Sequence, residues 1–417
     1  MRKTIMTSSV AVFIAAACLG ILTTAKASDT KKAANAKVTF AKDVAPIFYN
    51  KCVECHRAGE IAPFSLMSYK ESRPWARSIK EKVLSKEMPP WHADPNHGAF
   101  ANDRRLSAQE IETITAWADG GAVEGNPKDL PPAPKFAEGW NIGKPDVVFK
   151  LPEVFPVPAT GVVDYKYFNV QTNFTEDKWI QAAEVRADKR AVVHHIIVFV
   201  MDKGQQKLLV GWAPGEQPAV MHDGLAKKVP AGATLRFQVH YTPNGTAVND
   251  QSYVELIFAK QQPRNEMQTV PVMNMRFAIP AGDPNYQVES SYTFKDDGKV
   301  YSLMPHMHLR GKDFMYKVTY PDGKSQIILS VPKYDFGWQT YYILKEPVVA
   351  PKGTRIDCLA HFDNSTKNKF NPDATQTVRW GDQTFEEMMI GWMSFTLDKN
   401  EMRPATGEPV SQKAGQK

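Results

Sequence analysis

From about Trp140 to Leu397 the apolar residues of this chain recur at every second position, in short runs broken by Pro, Gly, Asn and Asp. Clear runs lie at 191–200, 235–241, 253–258, 301–309 and 314–320. Period two puts alternate side chains on opposite faces of a strand, so each run suits a sheet with one face buried. The spacing of the breaks predicts antiparallel sandwiches. The stretch is too long for one sandwich and predicts two, dividing between residues 280 and 290. In 235–241 the core face would carry Leu235, Phe237, Val239 and Tyr241, leaving His240 on the other face.

Residues 38–125 follow a different pattern, helices with loops. Ser107 and Glu110 form a capping box, Ile111, Ile114 and Trp117 recur at helical spacing, and Gly120-Gly121 supplies a stop. Residues 126–140 contain Pro127, Pro131, Pro132 and Pro134 and read as a stiff linker. At the N-terminus Arg2 and Lys3 precede an apolar run and an Ala25-Lys26-Ala27 cleavage pattern. That predicts an export leader over 1–27, a flexible lead over 28–37 and a periplasmic or secreted location. No later segment is long and apolar enough to predict a stable membrane span. The tail, 401–417, is polar and is expected to be disordered. The net charge of +6 comes without a clustered basic stripe, so a nucleic-acid partner is not expected.

Cysteine is scarce for an exported chain. Beyond the leader only Cys52, Cys55 and Cys358 occur, so disulfides are not expected to hold the fold. Cys52-Val53-Glu54-Cys55-His56 is the attachment sequence for one covalent c-type haem: two thiols add to the vinyl groups and the adjacent imidazole takes the iron. A redox CxxC or half of a zinc site is the competing reading, but no second CxxC is present. Met88, in Met88-Pro89-Pro90, is the expected sixth ligand, with Met67, His92 and His97 as rivals. The order of attachment motif, Met-Pro loop and closing helix resembles the class I cytochrome c family over residues 38–125. The resemblance implies a small all-α domain.

Seven histidines lie beyond residue 140, five of them in three tight settings: His194-His195, His240, and His306-Met307-His308. His306 and His308, two apart, share a strand face and could share a metal. The adjacent His194 and His195 would diverge on a regular strand, so a common metal requires a bulge or strand end there. Imidazoles suit copper, zinc and iron alike. Cys358-Leu359-Ala360-His361 lacks the Met that a blue-copper site needs nearby, and reads as structural.

His194-His195, Val239-His240-Tyr241, His306-x-His308-Leu309-x-Gly311-Lys312 and Glu387-Met388 together resemble, in order, the type II copper ascorbate-dependent monooxygenases. That family includes peptidylglycine α-hydroxylating and dopamine β-monooxygenases, and the likeness covers residues 145–397. It implies one copper at His194, His195 and His240. It implies a second copper, the O2 site, at His306, His308 and Met388, across a solvent-filled cleft from the first. This chain departs from the family in lacking disulfides. It also has Met304 and Trp392 where the peptide enzyme holds a peptide carboxylate, so peptide amidation is not expected.

The expected architecture is therefore multidomain: a small all-α cytochrome c domain (38–125), then two all-β antiparallel, jelly-roll-like sandwich domains (141–283 and 284–400), each holding copper. The expected function is an exported haem–copper monooxygenase acting on a small organic molecule with O2 and a periplasmic electron donor. The alternatives are a haem/copper electron carrier or copper-handling protein without a substrate, and a zinc or iron enzyme on the same ligands.

Overall fold

The computed structural model describes residues 37–60, 62–136, 141–213, 216 and 218–402. The leader, nearly all of the lead, and the tail past Met402 lie outside the described residues.

The strand runs alternate as their sequences dictate. Along Thr234–Tyr241, Leu235, Phe237, Val239 and Tyr241 are buried while the residues between them are half-exposed. That strand lies in a four-stranded antiparallel sheet, in the order Lys166–Gln171, Thr234–Tyr241, Val193–Asp202, Gln205–Trp212. Its inner face shares a core with a second sheet built on Lys178–Arg186, Tyr253–Phe258 and Leu225–Val229. Phe168, Val198, Phe237, Val254 and Leu256 lie in that core.

A third sheet, in the order Gln268–Met273, Ile390–Leu397, Gly298–His306, Tyr342–Ala350, packs on a fourth of Tyr286–Thr293, Arg355–Phe362, Gly311–Thr319 and Ser325–Val331. Their core contains Leu303, Phe314, Tyr316, Cys358, Met389 and Met393. Gln268–Met273 already pairs with Ile390–Leu397, so the change-over between the two cores falls between Phe258 and Gln268, ahead of the expected division at 283.

The expected multidomain architecture, with an all-α cytochrome c domain ahead of two separate antiparallel copper sandwiches, is not what the chain forms. The described residues are mostly β, 38% strand against 13% helix, and Val38 onward clusters as one compact unit. The helices are short: Ala45–Lys51, Tyr69–Ser72, Ala76–Leu84 and Ala108–Asp119. Between the last two, prolines 89, 90 and 95 forbid helix, because each lacks an N–H and clashes with the preceding turn. The extended segment instead drives Trp91, Ala93 and Phe100 into the core of the third and fourth sheets. There Asp94 N–H bonds to Ser330 O, Ala101 N–H bonds to Ile343 O, and Phe100 bridges to Leu344. Large aromatics that a few short helices could not bury thus find their cover on the sheets. Nor is pairing purely antiparallel: Asn265–Glu266 runs parallel to Leu225–Val229. Among the described residues no helix is long and apolar enough to cross a membrane.

Candidate metal centres

His194, His195 and His240 come together on the outer face of the sheet whose inner face holds the first core. The pairing of Val193–Asp202 with Thr234–Tyr241 slips between Val193 and His195, and His195 then stands opposite His240. This bulge turns the two adjacent imidazoles to one side of the sheet. One ring nitrogen from each of the three histidines lies within 4.8 Å of the others. His194 Nδ1 is 3.2 Å from His195 Nδ1, and His240 Nδ1 is buried without a hydrogen bond. Burial pushes His194 down to about 4 and His240 down to about 3, and depresses His195 as well. Three neutral imidazoles with converging lone pairs form a donor set that fits a copper ion.

The second set lies on the outer face of the third sheet. The His306 and His308 rings are 5.3 Å apart. His306 Nδ1 meets Gln339 Oε1 at 2.6 Å and His308 Nδ1 meets Glu386 O at 3.2 Å, which leaves each Nε2 as the ligand atom. His308 Nε2 is buried with no hydrogen-bond partner. Burial pushes these two down to about 4 and about 3. Glu387, fully buried, anchors the backbone beneath them. Its carboxyl accepts from His308 N at 2.8 Å and from Arg310 N at 2.6 Å, and burial pushes it up to about 8. Met388 follows directly. It packs with Met304, Ile390 and Trp392 on the histidine side of the sheet, whereas Met389 is turned into the core, where its sulfur meets Ser290 Oγ. Ile390 is the strand partner of His306, so Met388 sits between a residue opposite His306 and one bonded to His308.

The two outer faces meet. Phe199 and Leu208 from the first set's sheet pack against Met304, Met388, Ile390 and Trp392 from the other. His195 and His306 line one small cavity of ≈ 30 Å³. Where family resemblance implies a solvent-filled cleft, the two faces are in largely apolar contact. Phe336 stands between the sets, stacked on His194 at 4.8 Å and edge-on to His308 at 5.7 Å. Sequence reading missed Phe336 and Gln339. Both come from the irregular loop between Ser325–Val331 and Tyr342–Ala350, which carries no periodicity to place them.

The CxxCH segment follows the Ala45–Lys51 helix. Cys55 N–H and His56 N–H both bond back to Cys52 O, so the two thiols and the imidazole share one turn. His56 Nδ1 meets Phe64 O at 3.1 Å, which fixes the ring and leaves Nε2 for a metal. Burial pushes the Cys52 thiol up to about 12 and raises Cys55 too. Both shifts disfavour the thiolates on which disulfide exchange depends. Met88 ends the turn after Ala76–Leu84, with its N–H on Lys82 O. Met67, and not Met88, packs in the hydrophobic cluster that includes Cys52 and Phe64. Glu60, just past the motif, pairs with Arg190 at 2.9 Å, just ahead of His194.

No family model matches this chain, and no curated protein matches it. Solved structures that align include the major capsid protein P2 of bacteriophage PM2, at 8% identity and TM-score 0.30, over 61% of this chain and 99% of that one. Another is the N-glycanase PNGase F, at 9% identity and TM-score 0.28, over 62% and 98%.

Proposed function

We propose that this chain is an exported haem–copper monooxygenase that hydroxylates a small organic substrate. What supports the reading above all is the convergence of His194, His195 and His240, with His306 and His308 facing them across a seam one phenyl ring wide. Substrate R–H, O2, two electrons and two protons would yield R–OH and water. Bound copper would supply one-electron redox and O2 chemistry, and covalent haem would supply electrons from a periplasmic donor.

The chain's own groups would do the rest. His194, His195 and His240 hold the relay site, and His306, His308 and Met388 hold the O2 site; a thioether favours the reduced metal. Gln339 and the Glu386 carbonyl fix the ring orientations of His306 and His308. Phe199, Leu208 and Trp392 give the seam its apolar surface. The Glu60–Arg190 pair ties the haem-attachment loop to the segment entering the first histidine set.

The test is protein matured in a periplasm with haem and copper supplied. One haem iron and two coppers per chain are expected, with O2 uptake that depends on an organic substrate and stops when His306 or His308 is replaced by Ala. Two coppers with no substrate-linked uptake across a broad screen would favour the electron-carrier or copper-handling reading. Zinc or iron in place of copper would overturn both.

A further inference from the structure

Beside the histidine seam lies a larger cavity of ≈ 160 Å³. Its walls come from strands of different sheets: Leu209 from Gln205–Trp212 and Tyr301 from Gly298–His306, with Met221, Met267 and Ile343 beside them. These are apolar or aromatic surfaces. Gly211, Glu216 and Tyr341 line both this cavity and the small one that His195 and His306 line, so the two spaces share a wall.

Two cations, Arg104 and Lys227, stand in this lining with one carboxyl, Glu216, which burial pushes up to about 8 and so toward its neutral form. Lys227, on Leu225–Val229, is 9% exposed, and its Nζ donates to Leu208 O at 3.0 Å and Leu209 O at 2.8 Å. An ammonium has three N–H donors, so one remains. Among the described residues no carboxylate pairs with it, and burial alone pushes its pKa down to about 7. A buried ammonium held only by two neutral carbonyls is an expensive arrangement, and an incoming anion would relieve it. The charge asymmetry and the apolar walls ask for the same ligand.

We propose that this cavity binds a small, mostly apolar carboxylic acid, its carboxylate on Lys227 Nζ and its hydrocarbon part running along Tyr301 and Met267 toward the wall at Tyr341. The binding stands on the cavity alone; its role as the substrate pocket rests on the monooxygenase reading above. A small acid fits a space of ≈ 160 Å³ where a peptide would not.

The test is calorimetric titration of the full haem- and copper-loaded protein, oxidised and without reductant, with hexanoate, hexanol and hexylamine. Hexanoate should bind at least about tenfold more tightly than hexanol, the equivalent of about one charge-assisted hydrogen bond, and hexylamine should bind worst. Lys227→Met should remove the preference for the acid while hexanol binding stays. Ala219→Phe, which fills the cavity from Ala219–Val220, should abolish binding of both and decides the matter if Lys227→Met does not fold. Lys227 could instead serve only to hold the Leu208 and Leu209 carbonyls. Then Lys227→Met would lower stability without changing the acid preference, and the proposal falls. It falls equally if hexanoate does not bind, or binds no better than hexanol. Acid binding that depends on Lys227, with no hydroxylated product under turnover, would sustain the pocket and count against the monooxygenase reading instead.

Discussion

Replacing Glu387 by Gln probes how the second histidine set is held. Both carboxyl oxygens are used, one by His308 N–H and one by Arg310 N–H. A glutamine offers a single carbonyl oxygen, so one backbone N–H would face another donor in a site with no solvent access. An unsatisfied buried N–H costs about 1–3 kcal/mol. Arg310, only 2% exposed, keeps its bonds to Asn364 Oδ1, Phe385 O and Asp373 O, and the Asp373 charge stays near it. The unsatisfied N–H therefore sets a loss of about 1–3 kcal/mol in unfolding free energy. The local effect should exceed the global one, because the backbone of His308 hangs directly on this carboxyl. The assay is urea unfolding combined with copper per chain after dialysis. Copper should drop from two to one, and the spectrum of the site at His194, His195 and His240 should persist. Glu386→Gln, whose carboxylate only accepts from Gln383 N at a partly exposed position, should stay within about 0.5 kcal/mol and keep both coppers. Two coppers retained in Glu387→Gln, with a stability loss under about 1 kcal/mol, would refute the idea that this buried carboxyl organises the site.

The neighbouring methionines should separate ligand from filler. Met389→Ala should cost about 2–5 kcal/mol of stability by opening the core yet keep both coppers, whereas Met388→Ala should cost less and weaken Cu(I) at the second site, read by competition with a Cu(I) chelator. At the haem, loss of the thioether band and a lowered potential in Met88→Ala would identify Met88 as the sixth ligand; the same result in Met67→Ala alone would move the assignment to Met67, which shares the hydrophobic cluster of Cys52. Glu255 is buried beside Glu184, and burial followed by that charge pushes its carboxyl up to about 8. A raised carboxyl pKa means the folded state holds a proton the unfolded chain gives up, so its favourable term is complete below about pH 4 and fades as pH climbs toward 8. The urea midpoint of wild type relative to Glu255→Gln should therefore fall between pH 5 and pH 9; a pH-independent difference would contradict the shift.

The alternation at Leu235–Tyr241 placed His240 off the core from sequence alone, because a strand's side-chain period leaves no choice once its apolar face is buried. The CxxCH turn and the capping box at Ser107 were legible for the same reason: each is a local device whose chemistry is complete within a few residues. The need for a bulge at His194 was likewise implied by two adjacent ligands on one strand. What the sequence could not determine was how these pieces associate. Prolines 89, 90 and 95 were visible, but only packing turned the segment they stiffen into a strap on the far sheets, dissolving the expected all-α domain. Phe336 and Gln339 carry no pattern of their own; they matter because a loop returns them between and against histidines distant in the chain. The closing of the seam between the two histidine sets was likewise decided in three dimensions. Outward-facing residues such as Phe199, Leu208 and Trp392 read as surface until another sheet covers them, and burying that apolar area is what draws the two faces together.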